Sequence, residues 1–139
     1  MADNLQITEG SGITVATDDV GGVHYQKVKI QRGTDGKVTS DVKYAKIDCS
    51  SSGANQIVAA VASKKLRVVS YVLSASAAVN AKWQSASTDI SGLIYMDAKG
   101  GASPSHFDGL IETAAGEALN LNLSGAIAVG GHLAYVEEA

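Results

Sequence analysis

Ser103, His106 and Asp108 fall within the single stretch Ser103-Pro104-Ser105-His106-Phe107-Asp108. They are the residue types of an acyl-transfer triad: hydroxyl nucleophile, imidazole base and orienting carboxylate. Triad members meet in space from separate elements, and adjacency along the chain does not build that geometry. A loop around the chain's one proline is the better reading. His24, His106 and His132 are too far apart in sequence for a short-spaced zinc motif, which needs three or four convergent ligands. Cys49 is the single cysteine, so an intramolecular disulfide is excluded; a buried free thiol is expected, with no His or acid spaced to activate it. The 14 acidic residues scatter, and no pair is marked out for glycosidase chemistry. Asp18-Asp19-Val20-Gly21-Gly22 offers oxygens to calcium but lacks the alternating acids and terminal glutamate of an EF-hand loop; it reads as a turn. Gly21-Gly22 and Gly100-Gly101 lack the Lys-Ser/Thr and helix of a phosphate loop. Trp83 could stack on a sugar, but a lone strand tryptophan is more often a core or interface anchor. No catalytic residue, cofactor or metal site is expected, and the chain reads as one that binds or assembles.

The elements that would carry these residues are strands. Val, Ile, Tyr and Thr cluster in short runs between Gly, Ser, Asp and Asn. Candidate strands lie at 13–17, 23–31, 55–61, 65–75, 78–84, 88–97, 109–113, 117–123 and 131–137. Asp35-Gly36 is a hairpin signal, with 38–47 as a returning partner of 23–31 or a linker. Leu119, Leu121 and Leu123 alternate with Asn120 and Asn122, so one face packs and the other is polar. Lys65–Leu73 reads as apolar on both sides, which calls for a central position, a covering arm or a neighbouring subunit. Lys29 with Arg32, and Lys64, Lys65 and Arg67, read as guards of strand edges. Ser50-Ser51-Ser52-Gly53 divides an N-terminal arm or hairpin, 1–49, from a main domain, 50–139, whose short, regularly spaced strands suggest a sandwich or a barrel.

Size and charge agree with this. At 139 residues the chain is one domain's worth with an arm, and its 45% apolar content is rich in alanine, with only 5% aromatics. Net charge is −3, without the basic stripe of a nucleic-acid binder. No run approaches the roughly 20 apolar residues of a membrane helix. Residues 1–9 have neither a basic nor an apolar stretch of signal-peptide type. A soluble protein made in the cytosol is expected, with no nucleic-acid or membrane partner.

Two segments carry a resemblance. Gly12–Lys29, from Gly12-Ile13-Thr14-Val15 to Tyr25-Gln26-Lys27-Val28-Lys29, resembles the N-terminal segment of small structural proteins of tailed phages and prophages. Val69-Ser70-Tyr71-Val72-Leu73, Ala81-Lys82-Trp83-Gln84-Ser85, Glu112–Leu123 and Gly130-Gly131-His132-Leu133-Ala134-Tyr135-Val136 are similar to a compact β module of the same class. The resemblance implies an all-β fold: a β-sandwich, with a jelly-roll-like wrap as one form. It further implies a non-enzymatic role as a capsid decoration (cement) protein on the outer surface of the virion, made in the host cytoplasm. The major capsid protein would be its partner, and it would be a homo-oligomer, with the trimer favoured. A tail, fibre or head-surface module that binds host-cell glycans or receptors is the alternative, with Trp83, Tyr71 and Tyr95 as stacking candidates. Ile13 to Ile30 is expected to dock on a partner by adding a strand to an exposed sheet edge. The expected contact residues are Ile13, Val15, Asp18, Asp19, His24, Tyr25, Val28 and Ile30.

Overall fold

The computed structural model describes residues 17–20, 23–26 and 42–138. The chain divides into two units, Met1–Thr39 and Ser40–Ala139. In the first, β1 (Thr17–Val20) and β2 (Val23–Gln26) form an antiparallel two-stranded sheet, with Asp18 opposite Tyr25, Asp19 opposite His24 and Val20 opposite Val23. Asp18 and Asp19 therefore sit in a strand, not in the expected turn.

The second unit is a β-sandwich of two antiparallel sheets. Its strands are β3 (Lys43–Cys49), β4 (Gly53–Val58), β5 (Lys65–Ala75), β6 (Val79–Ser85), β7 (Thr88–Asp89), β8 (Ile94–Met96), β9 (Gly101–Ala102), β10 (Ile111–Glu112), β11 (Leu119–Leu123) and β12 (Val129–Glu138). One sheet runs β10-β5-β12-β3, with β9 also on β5; the other runs β4-β11-β6-β7, with β8 also on β6. Taking β7 with β8, and β9 with β10, as broken strands leaves eight. The first then pairs with the last and the second with the next to last, the nested wrap of a jelly roll.

Residues 101–113 show why β9 and β10 count as one strand. They run along the whole edge of β5, with Gly101 opposite Ser74, Ser105 bridged to Ser70, and Ile111 opposite Val68. Backbone bonds from Tyr71 N to Pro104 O and from Leu110 N to Val68 O fill the gaps. The expected strand 88–97 is likewise split, with Ser91-Gly92 between its halves.

Alternation places the core. Leu119, Leu121 and Leu123 from one sheet meet Leu66, Val68, Tyr71, Leu73, Val129 and Leu133 from the other, all buried. Trp83 lies among them with its ring 5.2 Å from that of Tyr71 and tilted by 60°.

Three sequence expectations are corrected. First, β5 is not apolar on both sides. Opposite β12, Ser70 faces Ala134 while Val68 faces Tyr135, so Val69 is one residue too many: a β-bulge. The bulge shifts the side-chain parity, and Leu66, Val68, Tyr71, Leu73 and Ala75 all become buried. The two-sided strand therefore no longer argues for a covering subunit. Second, the described part of 23–31, Val23–Gln26, pairs with β1, and Lys43–Cys49 is a strand of the sandwich and not part of an arm. It makes seven consecutive pairs with β12, Tyr135↔Lys43 through Val129↔Cys49. The sandwich unit thus begins at Ser40 and not at residue 50, and Ser50-Ser51-Ser52 is the corner where the chain passes between sheets. Serine and glycine mark a chain reversal of either kind. Third, Lys65 and Arg67 are not edge guards. Both bind Glu112 on β10, at 2.9 Å and 2.7 Å, and Arg67 also reaches Glu138 on β12 at 2.7 Å, so the network ties three strands together.

That network is expected to lose its contribution to stability in acid. Burial by itself would raise the Glu112 carboxyl, but hydrogen bonds from Lys65 and Arg67 and their charges outweigh it and hold Glu112 below its ordinary value. A depressed folded-state pKa stabilises at pH values above the unfolded one, and the contribution is lost as pH falls through the folded value. Glu112→Gln is therefore expected to cost roughly 1 kcal/mol or less at neutral pH, because the partners are one-third to half exposed. The gap between variant and parent should close as denaturation is followed from pH 7 down through the range below 4.5, Glu112's unshifted value. A gap that holds constant to low pH would contradict the assignment.

Candidate interaction surfaces

Among the described residues of the sandwich unit, the chemistry-bearing side chains do not converge. His106 is exposed, and its Nδ1 accepts the backbone N–H of Asp108 at 3.3 Å, so the ring is turned toward its own loop and not toward a carboxylate. His132 is exposed on the outer face of β12, between Val72 and Lys46. Among the described residues no three His, Cys, Asp or Glu side chains group as a metal site. Cys49 is free and buried, and burial pushes its thiol up from the ordinary value. Trp83 and Tyr71, two of the three sugar-stacking candidates, are inside; only Tyr95 is outside, 75% exposed.

Of the expected docking residues, Ile13, Val15, Val28 and Ile30 lie outside the described residues. Asp18 and Asp19 on β1, and His24 and Tyr25 on β2, are brought together as two cross-strand pairs.

Three surfaces of the sandwich could receive a partner. The outer face of the β4-β11-β6 sheet is rich in amides. By register, Gln56, Asn120, Gln84 and Asp89 form one row, Ala54, Asn122 and Lys82 a second, and Asn80 stands opposite Tyr95. Gln84 is buried within this row. It donates to Asp89 Oδ1 at 2.7 Å and accepts from Asn122 Nδ2 at 3.3 Å. Lys82 Nζ donates to Asp89 Oδ2 at 2.7 Å; this bond and the one from Gln84 hold the Asp89 carboxyl below its ordinary range. The face is therefore a rigid, nearly neutral platform of hydrogen-bonding groups with an aromatic ring at one end. The leucine–asparagine alternation of β11 announces this face; the register that aligns Gln56 and Gln84 with it is tertiary.

The second surface lies at the loop end of the sandwich. An open depression of about 510 Å³ is lined by Asp48, Ser74, Ser76, Lys99, Val129 and Gly130, without a buried polar group aimed into it. The third is the edge strand β3. Its ladder to β12 is regular along all seven residues, and it has no second neighbour among the described residues. Tyr44 is 77% exposed on it. Of the remaining edges, β9/β10 and β7/β8 are broken into two-residue or three-residue pieces, and β4 is bulged where Leu119 faces Val58 and Asn120 faces Gln56, with Asn55 turning its amide onto Ser51 O, Gly53 O and Leu121 O. A bulge blunts an edge; a regular ladder leaves it open.

Compared with known proteins, the chain matches no family model, no curated protein and no solved structure.

Proposed function

We propose that this protein is a non-enzymatic virion component of a tailed phage that decorates and stabilises the outer capsid shell, with the major capsid protein as its partner. The observation that carries the reading is the strand pair Thr17–Val20 and Val23–Gln26, which among the described residues forms a sheet of its own. A two-stranded hairpin is at best marginally stable in water, and a strand added from a partner would extend it through main-chain bonds. The same stretch lies within Gly12–Lys29, whose sequence resembles phage structural proteins. The jelly-roll wrap supports the reading by analogy only, since viral capsid domains use it alongside many unrelated proteins. Homotrimers on the shell, formed after synthesis in the host cytoplasm, are part of the proposal.

A second reading has its own observation. The amide platform with exposed Tyr95 has the donors, acceptors and aromatic face that a neutral saccharide needs, and lectin domains also use jelly rolls. This would suit a tail, fibre or head-surface module binding host glycans. Quantitative mass spectrometry of purified particles separates the two. A copy number in simple ratio to the major capsid protein is expected for a shell protein. A few copies to some tens would favour the glycan-binding module, and absence from the particle would overturn both.

A further inference from the structure

The edge strand β3 carries a charge pattern that is complementary to itself. Lys46 and Asp48 flank Ile47 on the outer face, 84% and 76% exposed, and bridge each other at only 3.3 Å. Two antiparallel copies of this strand related by a two-fold axis pair residues whose numbers have a constant sum, and only an even sum keeps like faces together. With the axis at Ile47, Lys46 of one copy stands opposite Asp48 of the other, twice. Tyr44 stands opposite Ser50, and Ala45 opposite Cys49. With the axis at Lys46, lysine meets lysine. With it at Ala45, Asp48 meets Val42 and no opposite charges meet.

We propose that β3 is the docking edge for a second copy of this chain, paired antiparallel about Ile47, so that the β10-β5-β12-β3 sheet continues across the contact. Three observations point there. The ladder of β3 is regular, whereas edge β4 is bulged and the edges β9/β10 and β7/β8 are broken. The exposed Tyr44 ring lies beside the pairing line and would be partly covered. And the charges on the edge are of both signs, spaced so that self-pairing is attractive, whereas a guarded edge repels its own copy with charges of one sign. The contact is isologous, each copy using the same patch. It is independent of the shell reading and of three-fold association, which would use other surfaces.

Charge reversal tests it on the full chain. Sedimentation or light scattering, from micromolar to near-millimolar protein, is expected to show pairing into dimers, or into hexamers if copies also associate in threes. Lys46→Glu would place a carboxylate opposite Asp48, and Asp48→Lys an ammonium opposite Lys46, each twice per contact. Either single change is expected to weaken pairing by about tenfold or more. K46E/D48K restores opposite charges and is expected to return close to the parent affinity. The side chains are highly exposed, so the thermal midpoint should barely move, which separates lost pairing from lost folding. A parent protein that is only monomeric or only trimeric, single variants that pair like the parent, or a double variant that fails to recover would each overturn the proposal.

Discussion

Replacing Gly131 by alanine is expected to cost at least about 4 kcal/mol, a large part of the roughly 5–15 kcal/mol that holds a domain together. Gly131 is the third residue of β12, between Leu73 of β5 and Ile47 of β3, with a φ of 149° that side-chain-bearing residues rarely adopt. A Cβ there would stand 1.8 Å from the carbonyl oxygen of Val72 and 2.8 Å from its carbon. Both are backbone atoms of the neighbouring strand, so no rotamer change relieves the overlap, and β12 cannot shift without breaking ladders on both sides. Gly130→Ala is the control. A Cβ at Gly130 would meet nothing nearer than Ile47 O at 3.9 Å, and the cost should stay within about 1 kcal/mol. Urea denaturation followed by Trp83 emission measures both. Equal midpoints for the two variants would mean that β12 does not approach β5 in this way.

Truncating Trp83 is expected to be nearly as damaging. It is the largest fully buried side chain, contacts the core from β6 and packs on Tyr71. Trp83→Ala should cost about 3–5 kcal/mol through lost burial and the cavity left behind. Trp83→Phe should cost much less, under about 2 kcal/mol. The indole Nε1 is buried with no hydrogen-bond partner among the described residues, so phenylalanine gives up volume but also removes an unsatisfied donor. Circular dichroism during urea denaturation reports both variants, since neither retains the tryptophan. Equal losses for Ala and Phe would mean that Nε1 has a strong partner. The same burial decides how sugar binding can be sought: a glycan on the outer face would not touch Trp83, and a change at Tyr95 is the informative one.

The glycine and the tryptophan also show where residue order stops informing. Trp83 was readable as a core anchor because it sits in a strand-like run and is the only tryptophan. The expected strand 131–137 leaves Gly130 outside, yet β12 begins at Val129 and holds both glycines, since a glycine needed for close strand approach looks no different from one needed for a turn. The Lys65–Ala75 strand was legible to its ends, but not the bulge at Val69. Bulges depend on what the partner strand presents, and β12 is far away in sequence. Periodicity locates strands and cannot name their neighbours. Thus Lys43–Cys49 could be taken for part of an arm, although it closes a ladder with the last strand of the chain.

Composition and alternation by themselves settle an all-β chain of sandwich or barrel type and a β11 with one leucine face and one amide face, because side-chain hydrophobicity at period two is local. Pairing, bulges, the nested jelly-roll wrap, the open β3 edge and the alignment of Gln56, Asn120 and Gln84 belong to the tertiary structure. They join residues tens of positions apart, and only the competition among ladders for one shared core selects which strands meet.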